Sequence, residues 1–443
     1  MEQSVRQYTS SVPWRELIAA GCLLVAPVAT SCSFGTEPSS TPVTSAIAAG
    51  YTHTCALTSA GAAYCWGENN VGQLGNGATA RRATAVAVAG GLSFTALTAG
   101  SAHTCGLTGQ GAAYCWGAVN PWGAGSVTPV AVAGRLSFTA LVAGYDHTCG
   151  LVVTTLVGAL SSAGTAYCWG RNDYGQLGNG TTGGTATLTP APVAGGVTFT
   201  ALPGGYSRTF GLTRAGRAYC WGSGDSTPTA VAGGLSFAAL SAGSSHTCGL
   251  TRDGAAYCWG PSYQALGNES GTSSVTPAPV AGGLSFTDLA AGMFHTCGLT
   301  PTGEAYCWGG NEWGQLGTGS TSDGRTPVAV VGGLRFKAIS AGGLHTCGLT
   351  REGDTYCWGW NESGQLGDGS PRSWLLPGPV SGLAPVTAVV GGVIHTCVLA
   401  SGGAAPCWGA NSWGPVGDGS AATGRAAPGP RAGGFGFTAL APG

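Results

Sequence analysis

Short apolar segments separated by glycine, asparagine or proline run along the chain from Ala46 onward, and their alternation predicts strands. Residues 284–289 (Leu-Ser-Phe-Thr-Asp-Leu) alternate apolar and polar side chains as a strand with one buried face does. Residues 296–300 and 304–308 follow as a hairpin, and 326–331 as a fourth strand. Pro327, near the start of that last strand, has no amide hydrogen to donate, which suits the outer edge of a sheet. The cleanest hairpin lies within residues 342–359, where Leu349, Tyr356 and Trp358 flank a turn at Arg351, Glu352 and Gly353. Counting outward from the turn sets Cys347 opposite Cys357. Residues opposed across a non-hydrogen-bonded antiparallel pair bring their Cα atoms within disulfide range, so the unit reads as a stapled hairpin.

The unit recurs eight times, with its key position at His53, His103, His147, Arg208, His246, His295, His345 and His395. Four antiparallel strands per unit of about fifty residues is the pattern of a β-propeller blade. The expected architecture is all-β: a propeller over residues 46–443 with eight blades, seven plus an irregular unit being the alternative. Residues 435–440 repeat the unit's first strand, of which residues 44–47 carry only a weak version. The C-terminal copy is therefore expected to complete the first blade and close the ring, which removes exposed sheet edges. Two copies depart from the pattern. The third inserts apolar residues at 152–160, and the fourth has Arg208 for His and Phe210 for the first Cys, leaving Cys220 without its partner.

Glycine supplies 81 of 443 residues and charged residues only 8%, yet 43% of the chain is hydrophobic and 14 residues are Trp, enough to bury a core. A formal net charge of −1 gives no footprint for nucleic acid or an anionic membrane. Seventeen cysteines at fixed spacing point to an oxidising compartment. Fourteen of them form the pairs Cys55–Cys65, Cys105–Cys115, Cys149–Cys168, Cys248–Cys258, Cys297–Cys307, Cys347–Cys357 and Cys397–Cys407. Cys22, Cys32 and Cys220 are left over.

The N-terminal residues add to the expectation of export. Arg6 and Arg15 precede an apolar run at 17–29, and the small residues Thr30 and Ser31 follow, so residues 1–31 have the layout of a secretory signal peptide. The run is short for a transmembrane helix. The sequence Val28-Ala29-Thr30-Ser31-Cys32 resembles a bacterial lipoprotein signal, which implies lipidation at Cys32; ordinary signal cleavage is the alternative. Residues 32–45, rich in Ser, Thr and Pro, read as a linker.

The pattern Ala-Gly-x-x-His-Thr-Cys-Gly-Leu-Thr-x-x-Gly-x-x-Tyr-Cys-Trp-Gly-x-Asn-x-x-Gly-Gln-Leu-Gly resembles the repeat of the regulator of chromosome condensation family. Residues 69–75, 172–178, 311–317 and 361–367 match its Asn-x-x-Gly-Gln-Leu-Gly ending. The resemblance implies a β-propeller, commonly of seven blades. The family's best-known member exchanges nucleotide on a small nuclear GTPase while docked on nucleosomes, a role that paired cysteines and the missing basic patch argue against. Plant ultraviolet sensors of the family use Gly-Trp-Arg-His-Thr, whereas here residues 50–54 read Gly-Tyr-Thr-His-Thr. Secreted bacterial β-lactamase inhibitors of this type show that such a ring can serve purely as a protein-binding face.

His-x-Cys recurs seven times, but each cysteine has a better-placed partner, so no metal site is expected. The histidine is expected to hydrogen-bond backbone at a strand start. Gly-Gln-Leu-Gly-Asn-Gly at 72–77 and 175–180 lacks the lysine and following helix of a phosphate loop and reads as turn chemistry. Glu68, Asp173, Asp225 and Glu312 are scattered, with no acid pair fixed by the repeat and no nucleophile elbow, so no catalysis and no cofactor are expected. The eight tryptophans from Trp66 to Trp408 are expected to fill the seams between blades. The candidate binding residues are the aromatics in the loop after Cys-Trp-Gly: Trp122, Tyr174, Tyr263, Trp313, Trp360 and Trp413. Rigidly presented Trp and Tyr make protein hot spots and sugar platforms, while packing on their own loops is the alternative use.

The expected function is an exported binding module for an unknown protein or glycan. It is expected to be monomeric, without nucleic acid, touching a membrane only through its lipid anchor, in a bacterial cell envelope or outside the cell. The alternatives are a hydrolase or lyase using the central channel, and a guanine-nucleotide exchange activity implied by the family resemblance.

Overall fold

Each repeat forms one antiparallel sheet whose strands follow in chain order from the centre of a ring to its rim. In the first blade these are Ile47–Ala49, His53–Leu57, Ala63–Gly67 and Arg82–Ala87. The computed structural model describes residues 47–118, 125–153, 163–184, 187–262, 264–380, 382–383, 385–412, 415–416, 424–428 and 437. The expected signal at 1–31, Cys32, the linker at 32–45, Trp122, Tyr263, Trp413, most of the insertion in the third unit and all of 435–440 but Phe437 lie outside these residues.

Eight sheets result, and the fold is an eight-bladed β-propeller with almost no helix. Blade 4 has three strands, Arg208–Leu212, Ala218–Gly222 and Asp225–Ala230; only isolated bridges, Ala201 to Leu212 and Gly204 to Thr209, stand for its innermost strand. In blade 6 the innermost strand is Asp288–Ala291, later than the expected 284–289. The Phe286 amide donates to the Gly254 carbonyl in the hairpin turn of blade 5, so the start of that segment is tied to the neighbouring blade. Pro327 lies within the outermost strand Gly324–Ala329, at the sheet edge expected for it.

The seven cysteine pairs are disulfides between directly opposed residues of the second and third strands, with Cα atoms 4.1 Å apart. Cys220 is free and stands opposite Phe210. Such disulfides belong to an oxidising, extracellular-type environment. Among the described residues no helix is long and apolar enough to cross a membrane.

The core lies in the seams. Trp116 of blade 2 packs on the Cys55–Cys65 disulfide and Leu74 of blade 1, and Trp358 of blade 7 packs on Cys297–Cys307 and Leu316 of blade 6. Trp66 of blade 1 packs on Cys397 and Cys407 of blade 8, which closes the circle. Emptying one of these sites to Ala costs about 3–5 kcal/mol by lost transfer energy and cavity formation. Gly348 shows how tightly the inner strands fit, since a Cβ there would stand 2.5 Å from the Phe336 ring. Blade 8 solves the same contact with Val398 facing the smaller Val386. At the C-terminus the Phe437 amide donates to Gly403 O at 2.7 Å, as Phe94 does to Gly61 O and Phe336 to Gly303 O at 2.8 Å. Phe437 also bridges Thr58 of blade 1, so this residue takes the place of an inner-strand start there.

Candidate functional site

The repeated polar residues are consumed by the scaffold. His53 Nε2 bonds Thr104 Oγ1 of the next blade at 2.8 Å, and His103–Thr148, His147–Thr209, His246–Thr296, His295–Thr346, His345–Thr396 and His395–Thr54 repeat the link. The expectation of a backbone partner is therefore corrected: the acceptor is a side chain on the neighbouring blade. The threonine hydroxyl donates onward to a loop carbonyl, as Thr346 does to Gln315 O at 2.8 Å, so its oxygen is left to accept from a histidine protonated at Nε2. Burial, reinforced between neighbouring histidines, holds His53, His147, His295 and His345 down to about 3, and burial holds His103, His246 and His395 down to about 4. These imidazoles are neutral struts, and among the described residues no group of three or more His, Cys, Asp or Glu is placed to hold a metal.

The Asn-x-x-Gly-Gln-Leu-Gly loops are likewise structural. Asn311 Oδ1 accepts the Leu316 amide at 3.0 Å while Nδ2 donates to Ser320 O and Ser322 O at 2.9 Å. Gln315 O accepts from Trp358 Nε1 at 3.0 Å as well as from Thr346. Two indoles find no acceptor among the described residues: Trp259 Nε1 of blade 5, which follows a blade without such a loop, and Trp116 Nε1 of blade 2, which follows one that has it.

Of the exposed aromatic side chains among the described residues, Tyr51, Tyr174, Tyr206 and Phe294 gather at one end of the ring, while Trp374 lies on the outermost strand of blade 7. The loops joining first to second strands and third to fourth strands emerge together there, tied by Glu68 N to Thr52 O and Trp360 N to Leu344 O. Two residues before the histidine position, Tyr51, Tyr145 and Tyr206 line the channel mouth, a cavity of about 160 Å³ shared with Ser101, Ser244, Met293 and Val393. The Tyr145 and Tyr206 rings lie 4.1 Å apart, and Tyr51 meets Tyr145 edge-on at 6.0 Å. Burial and then the adjoining Tyr206 push the Tyr145 phenol up to about 12, so its hydroxyl stays neutral. Beside it Asp146 accepts from Ser101 at 2.8 Å and pairs with Arg171, whose guanidinium stands 5.8 Å over the Tyr174 ring. Below the mouth the inner strands enclose about 600 Å³ walled by Leu141, Leu202, Leu240, Leu289 and Ile339. Asp288 is the ionisable residue of that wall among the described residues, and enclosure raises its carboxyl pKa.

Of the sequence candidates, Tyr174 is 51% exposed, and Trp313 and Trp360 lie half-buried with rings 6.3 Å apart. Trp122, Tyr263 and Trp413 fall outside the described residues. Sequence reasoning missed Tyr51, Tyr145, Tyr206 and Phe294. Their signal was variability: the residues ahead of the histidine change from copy to copy between a fixed glycine and a fixed histidine.

Two forms of the regulator of chromosome condensation (RCC1) repeat match the chain, one at residues 45–73, 237–263, 286–315 and 336–365, the other at 60–107, 163–210, 302–349 and 352–399. Together they span more than half of it. Human WBSCR16 superposes with a TM-score of 0.60 at 18% identity, over 76% of this chain and 98% of its own. Prp20p of Saccharomyces cerevisiae, described together with its binding to Gsp1p and histones, gives 0.57 at 19% identity, over 74% and 88%. The same yeast protein bound to Kap60 gives 0.58 at 19% identity, over 91% of each chain. At these identities the likeness is one of fold.

Proposed function

Because the chain belongs to the regulator of chromosome condensation (RCC1) repeat family, we propose that it is an exported propeller that binds a partner protein through its aromatic loop face and catalyses no reaction of its own. Two aromatic groups on that face carry the proposal: Tyr51, Tyr145 and Tyr206 at the channel mouth, and Phe294, Trp313 and Trp360 around the blade 6 loop. Tyr and Trp on rigid loops supply contact area at little entropic cost, and half-buried rings with free faces are the usual anchors of interfaces. A glycan is the alternative occupant, since the same rings can stack on sugars. Acid–base chemistry in the channel has Asp288 as its candidate, with no second carboxylate in the described wall to complete a pair. Binding of Gsp1p and histones stays with the yeast protein, because 19% identity carries the fold alone.

The seven disulfides and the signal-like N-terminus support the export in this proposal, and anchoring at Cys32 is part of it; a mature N-terminus that begins at a lipidated Cys32 by mass spectrometry supports the anchor, and cleavage elsewhere removes it. For binding, immobilised wild-type chain is compared with a Tyr145→Ala/Trp313→Ala/Trp360→Ala variant and with an Arg252→Ala/Arg351→Ala control on the opposite end. Loss of partner capture in the first variant alone, with unchanged thermal unfolding, is the expected result. Capture retained by the first variant, or lost equally in the control, contradicts the proposal.

A further inference from the structure

Between blades 5, 6 and 7, on the same loop face, lies a cavity of about 560 Å³ with an unbalanced lining. Its apolar walls are Phe294, Trp313 and Leu344, and its polar lining includes the carboxylates of Glu312 and Asp323 with no lysine or arginine among the lining residues. The volume is that of a small-ligand or side-chain pocket. Phe294 is 45% exposed. The walls are held in place before any ligand arrives. Asp323 accepts from the Asn311 amide at 2.9 Å and from Gln264 Nε2 of blade 5 at 2.5 Å; Gln315 Oε1 accepts the Trp313 amide at 3.0 Å; and Trp360 backs the Trp313 ring. The three salt bridges found among the described residues leave both Glu312 and Asp323 out.

Aromatic faces attract cations through the ring quadrupole, and carboxylates at the same wall add charge-assisted hydrogen bonds. An anion would be repelled by Glu312 and Asp323, and a neutral apolar group would bury beside them without compensating either charge. We propose that this pocket receives a basic side chain, arginine or lysine, of the partner protein, with Trp313 and Phe294 flanking the cation and Glu312 and Asp323 pairing with it. This rests on the loop face being the binding face and adds the charge of what it binds. It also breaks the symmetry of the ring: in blades 7 and 8 the position of Glu312 is held by Glu362 and Ser412, but Trp313 is replaced by Ser363 in blade 7.

Calorimetric titration of the full chain with a blocked tri-arginine peptide tests it, with blocked tri-glutamine and tetramethylammonium as comparison probes. Tri-arginine is expected to bind weakly and salt-dependently. A Glu312→Gln/Asp323→Asn variant is expected to weaken it about tenfold, the scale of one charge-assisted contact, and Trp313→Ala to weaken it as well. Glu312→Gln alone keeps the test open if the Asp323 change disturbs the loop. Equal binding of tri-glutamine, equal binding by the charge variants, or binding of tetramethylammonium without tri-arginine overturns the proposal, the last by making the pocket a small-molecule site. A face that captures its partner while tri-arginine fails refutes this pocket alone. Tri-arginine binding with face-independent capture refutes only the broader reading.

Discussion

His395 in the last blade hydrogen-bonds Thr54 in the first, Nε2 to Oγ1 at 3.2 Å, across 341 positions of sequence. Thr54 Oγ1 also donates to Pro415 O at 3.2 Å, and Trp66 Nε1 donates to the same carbonyl at 2.6 Å. The closing seam thus uses the same three groups as the seams inside the chain. Thr54→Val keeps the shape but strips the hydroxyl between His395 and Pro415. It should destabilise the protein by roughly 1–3 kcal/mol, the cost of leaving buried polar groups unpaired, as read by denaturant unfolding. An unchanged midpoint would mean that the ring does not depend on that link.

The neutral histidine struts make the fold acid-sensitive. Their folded values of about 3 to 4 lie below the ordinary 6.5, so between those limits the unfolded chain takes up protons that the folded chain refuses. Their contribution is complete above pH of about 6.5 and is lost as pH falls through the window, by up to about 1.4 kcal/mol per pH unit for each histidine. Denaturant midpoints measured at pH 7, 5.5 and 4.5 should fall steeply across the series. Midpoints independent of pH would show that the imidazoles are not buried neutral.

Phe210 and Cys220 occupy the places of a disulfide pair in blade 4. A Phe210→Cys substitution sets a second thiol directly opposite Cys220, in the register that carries Cα atoms 4.1 Å apart in the other blades. The variant, expressed with export, should yield a cross-linked peptide joining positions 210 and 220 in non-reducing mass spectrometry. A free Cys220 in that variant would mean that blade 4 departs from the register.

Each ordinary staple closes a hairpin with a sequence separation of 10. Replacing Cys347 and Cys357 together by Ala should cost roughly 2–3 kcal/mol, chiefly by releasing the unfolded chain, and should leave the neighbouring seams intact. A loss below about 0.5 kcal/mol in thermal or denaturant unfolding would assign blade stability to the tryptophan seams alone.

Blade number, hairpin register and the seam tryptophans were all legible in the sequence, because Cys347, Cys357 and Trp358 recur at one spacing in a unit too small to bury them alone. The His–Thr links were not, since the partner of His345 is Thr396, a residue of the next blade that only ring geometry brings within reach. The inner strand of blade 6 starts at Asp288 rather than at residue 284, although Phe94 and Phe336 make the same turn bond as Phe286 from inside their strands; nothing in the structure explains the later start. In the candidate face, Trp313, Trp360 and Tyr174 could be read from their recurring loop. Tyr51, Tyr145, Tyr206 and Phe294 stand at positions the repeat leaves free, where pattern reasoning has nothing to match.

Hydrogen–deuterium exchange of the chain with and without its captured partner tests the central claim most directly. Protection is expected at residues 50–52, 144–146, 293–294, 310–315 and 360, the loops that carry the aromatic face. Protection confined to the hairpin turns at the other end, such as 252–254 and 351–353, would contradict it.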